Sequence, residues 1–387
     1  MIAYNTKWLA NLRLKDMLKK DEAAGRITEG ELKAIMEQYP AGFYTPGALA
    51  RAGFFIITCV VVLFAYGLIS LMAASADIFD SPAFPIFLGM VSYVGLELMV
   101  YVKHHYRSGV DDALLFLSAC MILAGLFMAF SGFGDRANYA TLCGIAFLMF
   151  LILSLRFIDI LMAAACSFCL FAFIFFTWTS LIASGLTTAP FIMMLVAGGG
   201  YWLSYTSMSK FVDHENCFTV AQIVCLVTLY AAGNYYIIKT LSDNLHGQPF
   251  NVPFGTFFWA WTIGIPLVYI GFGIRKKNII LLRTGLLMIV PAVLTFRNYY
   301  HILPTDIMLT IAGAVLLGLA YGIIRYLKTP RHGFTYAAPE DEHMADRLKV
   351  ESLLVAESFS SHTPAPADNS VKFGGGDFGG GGSSGNF

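Results

Sequence analysis

The segment Asn278–Lys328 constrains this chain more than any other. It reads NIILLRTGLLMIVPAVLTFRNYYHILPTDIMLTIAGAVLLGLAYGIIRYLK, two apolar runs flanked by Arg or Lys and joined by a polar turn at Asn298–Asp306. A helix of about twenty apolar residues matches the hydrocarbon thickness of a bilayer. The segment therefore predicts a helical hairpin that crosses a membrane.

The same pattern recurs upstream, and ten spans are expected. They lie near Ala52–Ala74, Ala83–Val102, Ala113–Phe130, Tyr139–Leu155, Phe157–Ile182, Ala189–Ser207, Cys217–Ile238, Phe254–Ile274, Ile279–Phe296 and Ile307–Leu327. Only Arg156-Phe157-Ile158-Asp159 separates the fourth from the fifth, but merged they are too long for one crossing. Composition agrees: 57% of the 387 residues are hydrophobic and 13% charged, against about 45–50% and about 25% in soluble domains. The fold class is an all-α integral membrane protein with about ten transmembrane helices.

Residues 1–50 are polar and lack the apolar core and cleavage site of a signal peptide. Asn5–Ala24 reads as one amphipathic helix with Trp8, Leu9 and Leu12 on one side, ended by Gly25. Thr28-Glu29-Gly30-Glu31 is a capping box, and the helix it opens puts Leu32, Ile35, Met36 and Tyr39 on one face before Pro40. Together they predict a short cytosolic helical hairpin, either a cap on the membrane domain of residues 51–328 or a docking module for another protein. Residues 329–387 form the third region. Pro339–Glu357 suits one short helix, and the Ser, Pro and Gly content from Ser358 onward predicts a disordered tail.

Lys and Arg equal Asp and Glu at 25 each, which favours neither nucleic acid nor an anionic surface. Their distribution is uneven. With ten spans, 22 Lys and Arg fall on one side and three, Arg136, Lys239 and Arg297, on the other. By the positive-inside rule both termini are cytoplasmic. All seven cysteines lie in or beside apolar runs, so no disulfide framework is implied, and the Cys166-x-x-Cys169 pair reads as helix packing.

Charges within a membrane are expensive and so mark candidate sites. Glu97 lies one to two turns inside its span and Arg283 at similar depth in the ninth, and the two are candidates to pair. Such a pair suits helix packing; a proton-coupling or substrate-binding carboxylate is the functional use. Arg297 shares a helix face with Arg283, with Pro291 between them. Asn234 and Gln222 suit interhelical hydrogen bonds. Asn298, Tyr299, Tyr300, His301 and Asp306, with Asp135, Arg136 and His246, outline a polar mouth or an aromatic belt. Gly198-Gly199-Gly200 would interrupt the sixth span in a carrier or admit a bulky neighbour. Ala314, Gly318 and Gly322 form a small-residue stripe suited to packing within the bundle or to a homo-oligomer.

His104, His105, Asp111, Asp112, Asp213, His214 and Glu215 are the residue types that bind divalent metal, but nothing fixes their spacing. No metal, cofactor or catalytic residue is expected. Gly381-Gly382-Ser383-Ser384-Gly385 matches a nucleophile motif only as low-complexity coincidence.

Certain motifs resemble a bacterial family of polytopic membrane proteins of unknown function. They are Gly25-Arg26-Ile27-Thr28 in the N-terminal region, the loop His105–Leu114, and Arg297-Asn298-Tyr299-Tyr300 before a Gly-rich last span, within a likeness covering most of residues 5–328. Separately, the last fifteen residues resemble the glycine-rich tails of bacterial TPM-domain proteins, without the TPM domain itself. The resemblance implies a bacterial inner (cytoplasmic) membrane protein and supplies no activity. The expectation is a non-enzymatic scaffold or partner-binding component, in contact with the lipid bilayer and with protein partners at its cytosolic ends. The alternative is a secondary transporter with a five-plus-five arrangement.

Overall fold

The computed structural model describes residues 2–23, 25–73, 78, 81–131, 136–182, 184–246 and 252–299, and beyond these 310, 313, 314, 317, 318, 321, 322 and 325. The chain divides into two compact units, Met1–Leu317 and Gly318–Phe387, and the helices from Thr6 to Tyr299 belong to the first.

The described chain is all-helical. Two short helices, α1 (Thr6–Ala23) and α2 (Glu29–Gln38), precede α3 (Ala48–Ala73), α4 (Ala83–Lys103), α5 (Val110–Ser131), α6 (Arg136–Phe157), α7 (Ile160–Leu181) and α8 (Gly185–Met208). After a 3-10 turn at Val212–His214 come α9 (Glu215–Ala231), α10 (Tyr235–His246), α11 (Gly255–Lys276) and α12 (Ile279–Tyr299). Eight of these are long and apolar enough to span a bilayer, α3 to α8 with α11 and α12; a ninth candidate is α9 with α10 as a bent pair. The predicted tenth span lies mostly outside the described residues. The tail, including Pro339–Glu357, lies wholly outside them.

Helices are what apolar sequence must form without water, because every backbone donor and acceptor has to be met within the segment. What separates the helices is local. Between α6 and α7, Ile158 takes the left-handed conformation at φ 52° and Asp159 caps the next helix by accepting from Met162 N at 2.9 Å. Between α11 and α12 the same device appears: Lys277 has φ 53°, and Asn278 Oδ1 accepts from Ile280 N at 3.0 Å and Leu281 N at 3.2 Å. A left-handed residue ends one helix and an Asp or Asn opens the next, so two residues suffice to reverse the chain. The fourth and fifth predicted spans are therefore separate helices.

The closest-packed pairs are consecutive: α4 with α5, α6 with α7, α8 with α9, and α11 with α12. These hairpins join through α5–α6, α7–α9 and α9–α12, and α3 leans on α5. Tyr66 alone among the described residues of α3 is buried, and its hydroxyl meets Ser92 Oγ of α4 at 2.5 Å. Val62 and Phe55 are half-buried against the bundle, and much of the remaining apolar surface of α3, such as Phe64 and Leu71, is exposed, as suits a helix that faces lipid.

One alternative is decided and one expectation changes at this level. Gly198-Gly199-Gly200 does not interrupt its span: α8 runs through it unbroken, and a Cβ on Gly200 would meet Cys225 Sγ of α9 at 2.9 Å. The interruption falls instead in the predicted seventh span, Cys217–Ile238. There α9 stops at Ala231 and α10 leaves at an angle of 72°. The cause is Asn234, whose side-chain oxygen takes the backbone donors of Tyr236 at 3.0 Å and Ile237 at 3.2 Å and so starts a new helix.

Candidate functional site

Polar chemistry gathers at two places, one at the end of the helices that carries the N-terminal segment and one at the opposite end of α9.

At the first, the loop 104–109 is folded by its own sequence. His104, Arg107 and Gly109 have φ of 54°, 50° and 94°. Gly109 is obligatory, because a Cβ there would overlap the carbonyl oxygen of Arg51. Asp111, buried at the start of α5, accepts from Arg107 N at 2.7 Å, Ser108 N at 2.8 Å and Ser108 Oγ at 2.8 Å. His105 Nδ1 lies 2.7 Å from the same Ser108 Oγ. With the serine proton donated to Asp111, the imidazole donates to the serine oxygen. Nucleophilic catalysis needs the reverse, a base that takes the serine proton, and Ser108 is fully buried. This His–Ser–Asp chain holds a loop.

The other predicted ligand residues are engaged separately. Asp112 pairs with Arg51 at 2.7 Å, Asp213 with Arg13, and His214 Nε2 meets the Leu155 carbonyl at 3.1 Å. His104 stands edge-on to Trp8 with ring centroids 5.0 Å apart. Among the described residues no three His, Cys, Asp or Glu side chains converge as metal ligands do.

The N-terminal segment closes over this end. Ala3 N donates to the Arg156 carbonyl at 2.9 Å. Tyr4 is buried edge-on against Tyr106, Phe43 and Phe157, with centroids 4.8, 5.9 and 6.4 Å away. Burial pushes its hydroxyl well above the ordinary tyrosine value. The neighbouring Asp159 carboxyl, between α6 and α7, is also raised, first by burial and in part by Asp112, against the lowering effect of the Met162 amide and Arg107.

Beneath the segment lies Glu97. Its partner is Arg156, not Arg283: Nε donates to Oε1 at 2.6 Å and Nη2 to Oε2 at 3.0 Å, while Tyr93 Oη donates to Oε1 at 2.7 Å. Depth in the sequence placed Glu97 and Arg283 at one level, but level does not make neighbours. Arg283 sits half-buried near the start of α12, which packs on α11 and α9, whereas Glu97 reaches α6. Both carboxylate oxygens meet one planar guanidinium, the strong form of such a pair. Sequence reasoning passed over Arg156 as a turn residue. The Tyr93–Glu97 spacing of four was a visible signal of a shared helix face.

At the second place Asn234 is buried, 1% exposed. Besides capping α10, its amide nitrogen donates to Tyr230 Oη at 2.8 Å and Thr295 Oγ1 of α12 at 3.0 Å. Tyr235 N donates to Thr262 Oγ1 of α11 at 3.0 Å. Gly233 admits the Trp261 ring, which a Cβ would overlap. Arg297 lies half-buried two residues beyond Thr295. Of the four predicted site residues, the structure therefore brings Asn234 to the turn of α12 that carries Arg297, and places Glu97 and Arg283 with different helices. Asp135, Tyr300, His301 and Asp306 of the predicted mouth lie outside the described residues, and Tyr299 packs against Tyr235 and Trp259.

The chain matches no family model, no curated protein and no solved structure. Its own geometry is the guide to function. Both polar places join elements that are distant in sequence, and Asp111, Glu97 and Asn234 are each bonded within the protein.

Proposed function

We propose that this helical, membrane-spanning protein is a non-enzymatic scaffold of the bacterial cytoplasmic membrane, with both termini in the cytoplasm and partners bound at those ends. The observation that carries this reading is the anchoring of the N-terminal pair. Tyr4, the Ala3–Arg156 hydrogen bond and the Arg13–Asp213 ion pair fix α1 to the ends of the spans. Leu32 of α2 is buried, while Glu29, Glu31, Lys33 and Glu37 are exposed. A charged helix held at a set position on a membrane anchor suits a docking platform. The tail and the small-residue stripe at Ala314, Gly318 and Gly322 are the second proposed contacts, the stripe for a further copy of the chain.

Co-purification from cross-linked membranes tests this. Reversing Glu29 and Glu37 to Lys, or deleting residues 339–387, should each remove partners captured by the intact protein. An unchanged partner list from both variants sinks the scaffold.

One observation favours a carrier as the second reading: the break between α9 and α10 beside the buried Asn234–Thr295 contact and Pro291 resembles the discontinuous helices of transporter sites. Single cysteines along α9 and α12 that an impermeant thiol reagent reaches from both faces would favour the carrier. Protection throughout would remove it.

A further inference from the structure

The angle between α9 and α10 is open to a different use from a broken span. α9 has 17 residues, about 25 Å at 1.5 Å per residue. The preceding 3-10 turn brings the rise close to the ~30 Å of bilayer hydrocarbon. A crossing by Val212–Ala231 alone, with Asp213 and Glu215 at its entry, would put the break at Ala232–Asn234 at the membrane boundary. The aromatic residues agree, since Tyr235 stacks on Trp259 at 5.1 Å and Tyr299 meets both, at 5.1 and 5.6 Å. Trp and Tyr gather at headgroup level. A turn of 72° at that level lays the next helix along the surface.

α10 is built for such a position. At 100° per residue its side chains fall into three sectors. Tyr235, Lys239, Ser242 and Asp243 are half-buried toward the protein, with Lys239 Nζ bonded to Asp243 Oδ1 at 3.0 Å. Tyr236, Thr240 and Asn244 form an exposed polar row. Ile237 and Leu241 form an adjoining apolar row, 41% and 42% exposed. Three sectors fit three surroundings: protein, water and lipid. The only acid and base on α10 other than His246 pair with each other. Attachment therefore rests on apolar insertion, not on attraction to anionic headgroups.

We propose that α10 is an interfacial helix whose Ile237–Leu241 row is seated in the headgroup–acyl boundary of the leaflet where α9 ends, with zwitterionic lipid sufficient to hold it. The test uses the full chain with its native cysteines removed, reconstituted in phosphatidylcholine vesicles. Single cysteines at 237, 241, 240 and 244 carry an environment-sensitive fluorophore, and only variants that elute as one species are read. Spin labels near the headgroup should quench positions 237 and 241 more than labels at the acyl terminus do, while aqueous iodide should quench 240 and 244. Stronger quenching of 237 and 241 by the acyl-terminal label would make α10 part of a span and overturn the proposal. Iodide quenching of all four would overturn it as well, by placing α10 in water. Protection of 237 and 241 from every quencher would give the row to a protein partner, a third way for the proposal to fail. A requirement for anionic lipid would refute its zwitterionic form.

Discussion

Two side chains at the end of the helices that carries the N-terminal segment do more than their exposure suggests. Tyr4 anchors residues 2–5 through three aromatic contacts, so Tyr4→Ala should weaken docking of α1 and α2 by about 3 kcal/mol, the lower part of the range for buried aromatic truncation, because the segment can retreat into water. Tyr4→Phe keeps the ring contacts and should stay close to the parent. Limited trypsin digestion at Arg26 and Lys33 reads the difference, and equal cleavage of all three proteins would show that Tyr4 is not the anchor. Asp159 acts through its charge. Its folded-state value lies above the ordinary 3.8, so the folded state holds the proton more firmly than the unfolded chain does. Stability is therefore greatest below the ordinary value and falls as pH rises through the raised one. Asn keeps the cap without the charge. Asp159→Asn should gain on the parent in detergent melts as pH rises above the ordinary carboxylate value; a difference that stays constant with pH would show that the carboxyl is not the cause.

Between elements, the two polar places act as ties. Glu97 and Arg156 join α4 to α6 with side chains 28% and 35% exposed. Loss of either should cost about 2 kcal/mol, less than the ~3–5 kcal/mol of a fully buried pair broken on one side. Glu97→Arg with Arg156→Glu should melt above either single reversal, whereas Glu97→Arg with Arg283→Glu should show no such recovery. Asn234 ties α10 to α12 and starts α10. Asn234→Ala removes a cap worth about 1 kcal/mol and leaves Tyr230 and Thr295 short of a partner, which adds about 1–3 kcal/mol. Amide exchange should quicken through α10 first. Uniform protection in the variant would mean that the cap does not set the break.

Across the whole molecule, the decisive quantity is the parity of crossings. If α9 crosses, cysteines at Lys103, Lys210 and Lys276 should all be labelled from the face that reaches Lys7, and Arg136→Cys from the other. If α9 turned back within the membrane, Lys276 would change face while Lys103 and Lys210 would not. Much of this architecture was legible in the chain itself. Apolar length sets helix and crossing, since a backbone in lipid must bond to itself, and that argument needs no neighbours. Capping is local too, and Thr28 with Glu31 forms the predicted box, the Thr28 hydrogen bonds drawing the Glu31 carboxyl below its ordinary value. The break at Asn234 was harder, because Asn inside an apolar run is tolerated or helix-starting according to what else bonds it, here Tyr230 and Thr295. Which charges meet was decided only in three dimensions. A sequence gives each residue a depth and a helix face, and Glu97 and Arg283 shared a depth. Packing order is set by side-chain fit between hairpins, and it carried Arg156 to Glu97 and Arg283 to another set of helices.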